Sequence, residues 1–141
     1  PIYPGCTTPT DYHAALKFGL ELIKFFPAEQ SGGLAKIKAM SAPFPQFKVM
    51  PTGGISLKNL ADYIAAPVIA ACGGSYMVTA DLIDNQKWEE ISRLCRKSRD
   101  IVEAARLGTA VKDMPDGALS ASAPAAPGQF AEQSTETAQK I

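Results

Sequence analysis

Apolar positions along the chain recur in two alternating modes, short runs of strand length and longer stretches with apolar residues three and four apart. Residues 1–5, Pro-Ile-Tyr-Pro-Gly, read as the end of a strand belonging to something longer. Thr8-Pro9-Thr10-Asp11 then offers an N-cap, a proline at the first helical position and an acidic residue three after the cap. A helix to about Phe18 is expected, with Ala14, Ala15 and Phe18 on its apolar side and Gly19 as its stop. Residues 20–26 form an apolar strand interrupted by Lys24 and closed by Pro27. Ser31-Gly32-Gly33 opens a second helix over 34–40, ended by Pro43 and Pro45.

The pattern then repeats. Residues 47–51 read as a strand running into Thr52-Gly53-Gly54-Ile55, after which Ser56 is expected to cap a helix carrying Leu57, Leu60, Tyr63 and Ile64. Residues 68–72 are apolar throughout, as in a strand covered on both faces, and end in Gly73-Gly74-Ser75. A helical turn over 75–79 and a long amphipathic helix over 85–107 follow. The stripe of that helix is Trp88, Ile91, Cys95, Val102 and Ala105, with Arg93, Arg96, Lys97 and Arg99 mostly off it. Strands each followed by a helix, at intervals of about twenty residues, indicate parallel β/α units. A doubly wound sheet and the C-terminal half of a (β/α)8 TIM barrel both fit. The barrel is favoured because the polar chemistry gathers at the C-terminal ends of the strands. This domain is expected over residues 1–107. Residues 108–141, rich in Ala, Ser, Pro, Gly, Gln and Thr, are expected to be a disordered low-complexity tail with too little to bury.

Composition narrows the function classes. The 141 residues carry 14 basic and 14 acidic side chains, which argues against a nucleic-acid surface and reads the Arg/Lys cluster at 93–99 as a solvated face. No apolar run reaches the ~18 residues of a membrane span, and no export signal is legible, so a soluble, cytoplasmic protein without a membrane partner is expected. The 3 cysteines are too few and too irregular for a disulfide framework and include no C-x-x-C pair. With His13 the sole histidine, neither a histidine metal site nor a Ser-His-Asp triad is supported. No metal and no cofactor is expected.

Lys24 is the candidate for chemistry. On an extended strand it shares a face with Leu22 and Phe26, while Ile23 and Phe25 point the other way. Apolar neighbours disfavour an ammonium, and a neutral amine attacks a ketone to form a Schiff base whose iminium accepts electrons from a breaking carbon–carbon bond. The alternative is an edge lysine snorkelling to water. The glycine pairs Gly53-Gly54 and Gly73-Gly74 are the second candidate. Each ends a strand and leads toward a helix, where backbone N–H groups can receive a phosphate. In barrels that position falls after strands seven and eight. The alternative is a pair of tight turns.

Pro4-Gly5 with Thr8, Leu22-Ile23-Lys24-Phe25-Phe26-Pro27-Ala28-Glu29, Ser31-Gly32-Gly33, Pro43-Phe44, Pro51-Thr52-Gly53-Gly54-Ile55, Asn59-Leu60 with Asp62-Tyr63, and Gly73-Gly74-Ser75-Tyr76-Met77-Val78 resemble the bacterial 2-keto-3-deoxy-6-phosphogluconate (KDPG/KHG) aldolase family, in order over residues 1 to about 107. The resemblance implies a class I aldolase on a (β/α)8 barrel, homotrimeric when complete. Such an enzyme splits a phosphorylated keto sugar acid into pyruvate and glyceraldehyde 3-phosphate. Lys24 is similar to the Schiff-base lysine and Phe26 to the aromatic against the pyruvyl group. Thr52, Gly53, Gly54, Gly73, Gly74 and Ser75 resemble the groups holding the distal end and phosphate.

Tyr76 stands where the family often has Trp, Met50 where it often has Cys, and Thr79 where Pro is common. The family's general-base glutamate and its carboxylate-binding arginine come from earlier strands absent from this sequence, so the chain alone is expected to be inactive. Related aldolases for the galactonate epimer or for 4-hydroxy-2-oxoglutarate fit the same motifs. A non-catalytic phosphate-binding β/α module with a structural Lys24 is the alternative of another class, and pyruvate with borohydride separates it from the enzyme.

Overall fold

Helix α1 (Pro9–Lys17) starts at a complete capping box. Asp11 N–H donates to Thr8 Oγ1, and Asp11 Oδ2 accepts from the N–H groups of Thr7 and Thr8 at 2.9 Å each. The computed structural model describes residues 2–108. In it α1 is followed by β1 (Leu22–Phe25), α2 (Gly33–Ser41), β2 (Lys48–Pro51), α3 (Leu60–Ile64), α4 (Ala80–Asp84) and α5 (Trp88–Arg106). The tail expected beyond Gly108 lies outside the described residues.

The strands make a parallel sheet with β1 in its interior. On one side β1 pairs with β2, Lys24 opposite Met50 and Phe25 opposite Pro51. On the other it bridges Gly5, with Lys24 N–H donating to Pro4 O at 2.9 Å and Lys24 O accepting from Cys6 N–H at 2.8 Å. Beyond β2 lies the segment expected as a strand over 68–72, which joins β2 only through separate bridges, Val49 to Ile69 and Thr52 to Gly73. Proline explains the interruption. Val49 donates to Val68 O and accepts from Ala70 N–H, but Pro51, the next residue in phase, has no N–H to give. The Ala70 carbonyl instead accepts from Arg106 Nη2 at 2.8 Å, and Pro51 O takes the N–H of Gly73 at 3.0 Å.

The two faces of this sheet differ. Ile23, Phe25, Val49 and Pro51 are fully buried and join a core with Tyr12, Ile37, Phe47, Leu60, Tyr63 and Ile101 from the helices and their flanks. Burial of each large side chain contributes about 1.5–3 kcal/mol. Tyr12 fastens α1 here, its ring 5.4 Å from Phe44 and 5.5 Å from Phe47 between centroids. The opposite face carries Leu22, Lys24, Lys48 and Met50, none of them buried.

Several expected details are corrected. On α1 the buried residues are Tyr12 and Ala15, while Ala14 and Phe18 line an open apolar groove of about 550 Å³ with Ile2, Pro4 and Leu20. Ser56 does not cap α3. It opens a turn closed by Asn59, whose Oδ1 accepts from Ser56 N–H at 2.8 Å, and the helix begins one residue later. Residues 75–79 hold a turn, not a helix; Thr79 Oγ1 accepts from Leu82 N–H and so starts α4 instead. On α5 the buried line is Ser98, Ile101 and Ala104, because only the C-terminal half packs on the core, and Trp88 and Cys95 are exposed. Arg93 and Arg99 pair with Glu90 and Glu103 on the solvent side of α5, in keeping with a solvated face. No helix among the described residues is long and apolar enough to cross a membrane.

Candidate functional site

Of the residues singled out in the sequence, Lys24, Phe26, Thr52, Gly53 and Gly73 meet at the C-terminal ends of β1 and β2. Lys24 is half-buried in an interior strand, so it is no edge lysine, and its face of the sheet is not the dry interior expected for it. Its Nζ stands 4.8 Å from the centroid of the Phe26 ring, which is 53% exposed. Phe26 in turn lies against the next strand end. A Cβ on Gly53 would come within 3.2 Å of the Phe26 ring and 3.1 Å of Pro27 Cα.

Thr52 continues β2, donating its N–H to Phe25 O at 2.9 Å. Its Oγ1 is buried and has no hydrogen-bond partner among the described residues. A buried hydroxyl left without a partner costs roughly 1–3 kcal/mol, so this one is free to accept or donate to a polar group. The Thr52 methyl leans over Gly73, where a Cβ would approach it to 2.6 Å. Contact thus runs from Lys24 through Phe26, Gly53 and Thr52 to Gly73.

The glycine pairs do not sit on helix N-termini as expected. Gly53 and Gly54, at φ +93° and +81°, precede the Ser56–Asn59 turn, and Gly73 spends its N–H on Pro51. Any anion there would be held by loop N–H groups, not by a helix dipole. Among the described residues the N–H groups of Gly53 and Gly54 donate to no backbone carbonyl. Gly74 packs on the Tyr76 ring, whose hydroxyl is 2.7 Å from Ser98 Oγ, while Ser98 donates to Leu94 O. Ser75 is exposed at the tip of this second loop.

Two side-chain pairs escaped the sequence reading. One is Tyr76 with Ser98. The other is Glu29 with Tyr63, the tyrosine hydroxyl donating to Glu29 Oε1. Burial first, and the Glu29 carboxylate second, push the Tyr63 hydroxyl far up, so it remains a donor at neutral pH. For Tyr63 the available signal was a tyrosine on the apolar side of a helix, whose hydroxyl usually finds a partner when buried; Tyr76, only half-buried, carried no such signal. Burial also raises the Cys72 thiol to about 11, against the opposing pull of Arg106.

Parallel β/α units, a lysine in an interior strand and glycine turns beside it define an α/β protein whose candidate residues gather at the carboxyl ends of its strands. The KDPG and KHG aldolase family model matches residues 1–94, and the chain belongs to that family. The 2-dehydro-3-deoxy-phosphogluconate aldolase of Haemophilus influenzae is 50% identical over 103 residues, 73% of this chain and 49% of that protein. The KDPG aldolase of Legionella pneumophila, solved with pyruvate captured at low pH as a covalent carbinolamine intermediate, is 41% identical at a TM-score of 0.65, over 67% of this chain and 46% of its own. The 2-keto-3-deoxy-6-phosphogluconate aldolase of Zymomonas mobilis ZM4, solved with 3-phosphoglycerate, is 35% identical at a TM-score of 0.61, over 68% and 44%. The chain therefore spans about half the length of the relatives it matches.

Proposed function

We propose that this chain supplies the lysine-bearing half of a class I aldolase that cleaves 2-keto-3-deoxy-6-phosphogluconate to pyruvate and glyceraldehyde 3-phosphate. The observation that carries the reading is Lys24 itself, in an interior strand with its amine beside Phe26 and the glycine turn at Gly53 adjoining. The covalent carbinolamine with pyruvate in the Legionella relative supports a lysine route in this family.

In this reading the Lys24 amine adds to the C2 ketone and loses water to give an iminium. Cleavage of the C3–C4 bond sends its electron pair into the iminium, forming an enamine, while the C4 hydroxyl proton goes to a base and the aldehyde departs. Protonation of the enamine carbon and hydrolysis then return the amine and release pyruvate. Phe26 packs on the pyruvyl group, and Thr52 Oγ1 gains the partner it lacks. Gly53, Gly54, Gly74 and Ser75 hold the distal end and phosphate through loop N–H groups and the serine hydroxyl, while Gly73, its N–H taken by Pro51 O, contributes only the close approach that the absence of a side chain allows; the 3-phosphoglycerate in the Zymomonas relative lends this reading support.

We further propose that residues 1–107 are the C-terminal half of a (β/α)8 barrel, a trimer when complete and cytoplasmic, with 108–141 as a tail. Support comes from the 49% coverage of the Haemophilus relative and from the sheet face carrying Lys24, where among the described residues none of Leu22, Lys24, Lys48 and Met50 is buried as both faces of a doubly wound sheet would be. The apolar groove beside the Gly5 edge, with Ile2 and Phe18 each 81% exposed, is surface a further unit would bury. The base and the carboxylate-binding arginine then belong to the other half.

The experiment is pyruvate release from the phosphorylated substrate. The complete enzyme containing this segment is expected to lose it at least a thousandfold on Lys24→Arg, because guanidinium stays protonated and is no nucleophile. The 141-residue chain alone is expected to release none. Retained activity in Lys24→Arg, or turnover by the chain alone, overturns the respective claim.

A further inference from the structure

We propose that Tyr63 and Glu29 form a brace that sets the shape of the Thr52-Gly53-Gly54 turn, making both of them positioning residues for the site. The inference rests on the reading above that this turn receives the phosphate-bearing end of the substrate.

Residues 28 and 29 lie in the turn that follows β1, and their N–H groups tie that turn to the backbone after β2. Ala28 N–H donates to Thr52 O at 2.8 Å and Glu29 N–H to Gly53 O at 3.2 Å. The Glu29 stem then runs directly beneath Gly54, where an added Cβ would meet its Cγ at 2.5 Å and its Cβ at 2.6 Å. At the far end the carboxylate accepts from the Tyr63 hydroxyl. Tyr63 is only 2% exposed, so its ring is fixed in the core and its hydroxyl is a rigid anchor. Both polar ends lie against the start of α2, since a Cβ on Gly33 would be 3.2 Å from Glu29 Oε1 and 3.3 Å from the Tyr63 hydroxyl.

The arrangement has two consequences. It ties the Gly53-Gly54 turn, through Glu29, to β1, α2 and α3 at once, so a turn of two flexible glycines is held in one shape. It also keeps the carboxylate on the α3 side. A long exposed glutamate released from Tyr63 would sweep the space beside the turn and repel an arriving phosphate. The phenol suits this task because it is protonated and donating at neutral pH, and burial with the Glu29 carboxylate moves its ionisation still further up.

The test is amide hydrogen exchange on the full 141-residue chain, with inorganic phosphate as the probe. In the wild-type chain, phosphate is expected to slow exchange at Gly53 and Gly54. Tyr63→Phe is expected to speed exchange of the Glu29 amide at least tenfold and to raise the phosphate needed at Gly53 and Gly54 at least fivefold. The response at Gly74 and the protection of the Val49 amide should stay. Glu29→Gln keeps an acceptor for the tyrosine and should restore most of the wild-type behaviour, which a loss of general stability would not do. Unchanged Glu29 exchange and unchanged phosphate response in Tyr63→Phe, with Val49 still protected, overturn the brace. If phosphate slows nothing in the wild type while the Glu29 amide is still freed in Tyr63→Phe, the brace stands and the phosphate reading falls. Should Tyr63→Phe fail to fold, Glu29→Ala at the exposed end gives the same comparison, and a wild-type result there overturns the proposal.

Discussion

Lys24 Nζ lies 4.8 Å from the centroid of the Phe26 ring, two residues on along the same strand end. The pair follows from the twofold period of a strand, which sends both side chains to the sheet face of Leu22 and Met50, where none of the described residues is fully buried. The ring lies over one side of the amine, and in the proposed reaction it is the flat apolar surface on which a small keto acid would rest. Phe26→Ala in the complete enzyme is therefore expected to raise KM for pyruvate in the reverse reaction about tenfold, the worth of roughly 1.4 kcal/mol of lost contact. Steady-state kinetics check this, and Phe26→Leu should recover part of the loss.

Gly54 admits no side chain. At φ +81° an L residue is strained, and its Cβ would fall 2.5 Å from Glu29 Cγ. Gly54→Ala is expected to displace the turn and cost about 1–3 kcal/mol of stability. In the complete enzyme it should weaken phosphorylated substrate more than the bare keto acid. Equal losses for the two substrates would mark the turn as purely structural.

Arg106 replaces a hydrogen bond that proline removes. Its Nη2 reaches Ala70 O at 2.8 Å, where Pro51 offers no N–H. Arg106→Met keeps much of the stem and deletes the donor, so urea unfolding should register a loss of about 0.5–1.5 kcal/mol. The same change removes the group that pulls the Cys72 thiol down, so that thiol should become still harder to ionise.

The thiols give a pH-dependent readout. Burial holds Cys72 up near 11, so at pH 8 it is almost wholly protonated and poorly nucleophilic, and its thiolate fraction grows only as pH approaches that value. Cys95 is exposed and Cys6 is buried with its thiol also raised by burial. Iodoacetamide at pH 8 is expected to modify Cys95 at least tenfold faster than Cys72 or Cys6, as read by peptide mass spectrometry. Faster modification of Cys72 would mean that the segment after Ile69 opens readily.

The sequence made most of the element order readable because each helix or strand carries its own period and punctuation: Thr8 and Asp11 at α1, Pro27 after β1, the glycines after β2. What it hid was decided at a distance. Ala14 and Phe18 look as apolar as Tyr12, but only Tyr12 meets Phe44 and Phe47. The run at 68–72 reads as a continuous strand, yet its pairing depends on Pro51, a residue of the neighbouring strand. Asn59, by reaching back to Ser56 N–H, delays α3 and takes the helix N-terminus away from the glycine pair. At the candidate site, the grouping of Lys24, Phe26, Thr52, Gly53 and Gly73 was legible from spacing and resemblance. Glu29 was not, because its role comes from a tyrosine 34 positions later in the chain.

The central claim is that Lys24 forms the iminium, and borohydride reduction in the presence of pyruvate tests it most directly. Reduction converts a transient imine into a stable secondary amine, so even slow formation in the chain by itself accumulates as label. The lysine at 48 offers a built-in comparison, since it lies on the neighbouring strand with its Nζ bonded to Pro67 O at 2.9 Å. Peptide mapping is expected to find the pyruvyl-derived adduct on Lys24 and to find none in Lys24→Arg. Label on Lys17, Lys36 or Lys48 in its place, or label that persists in Lys24→Arg, would contradict the account.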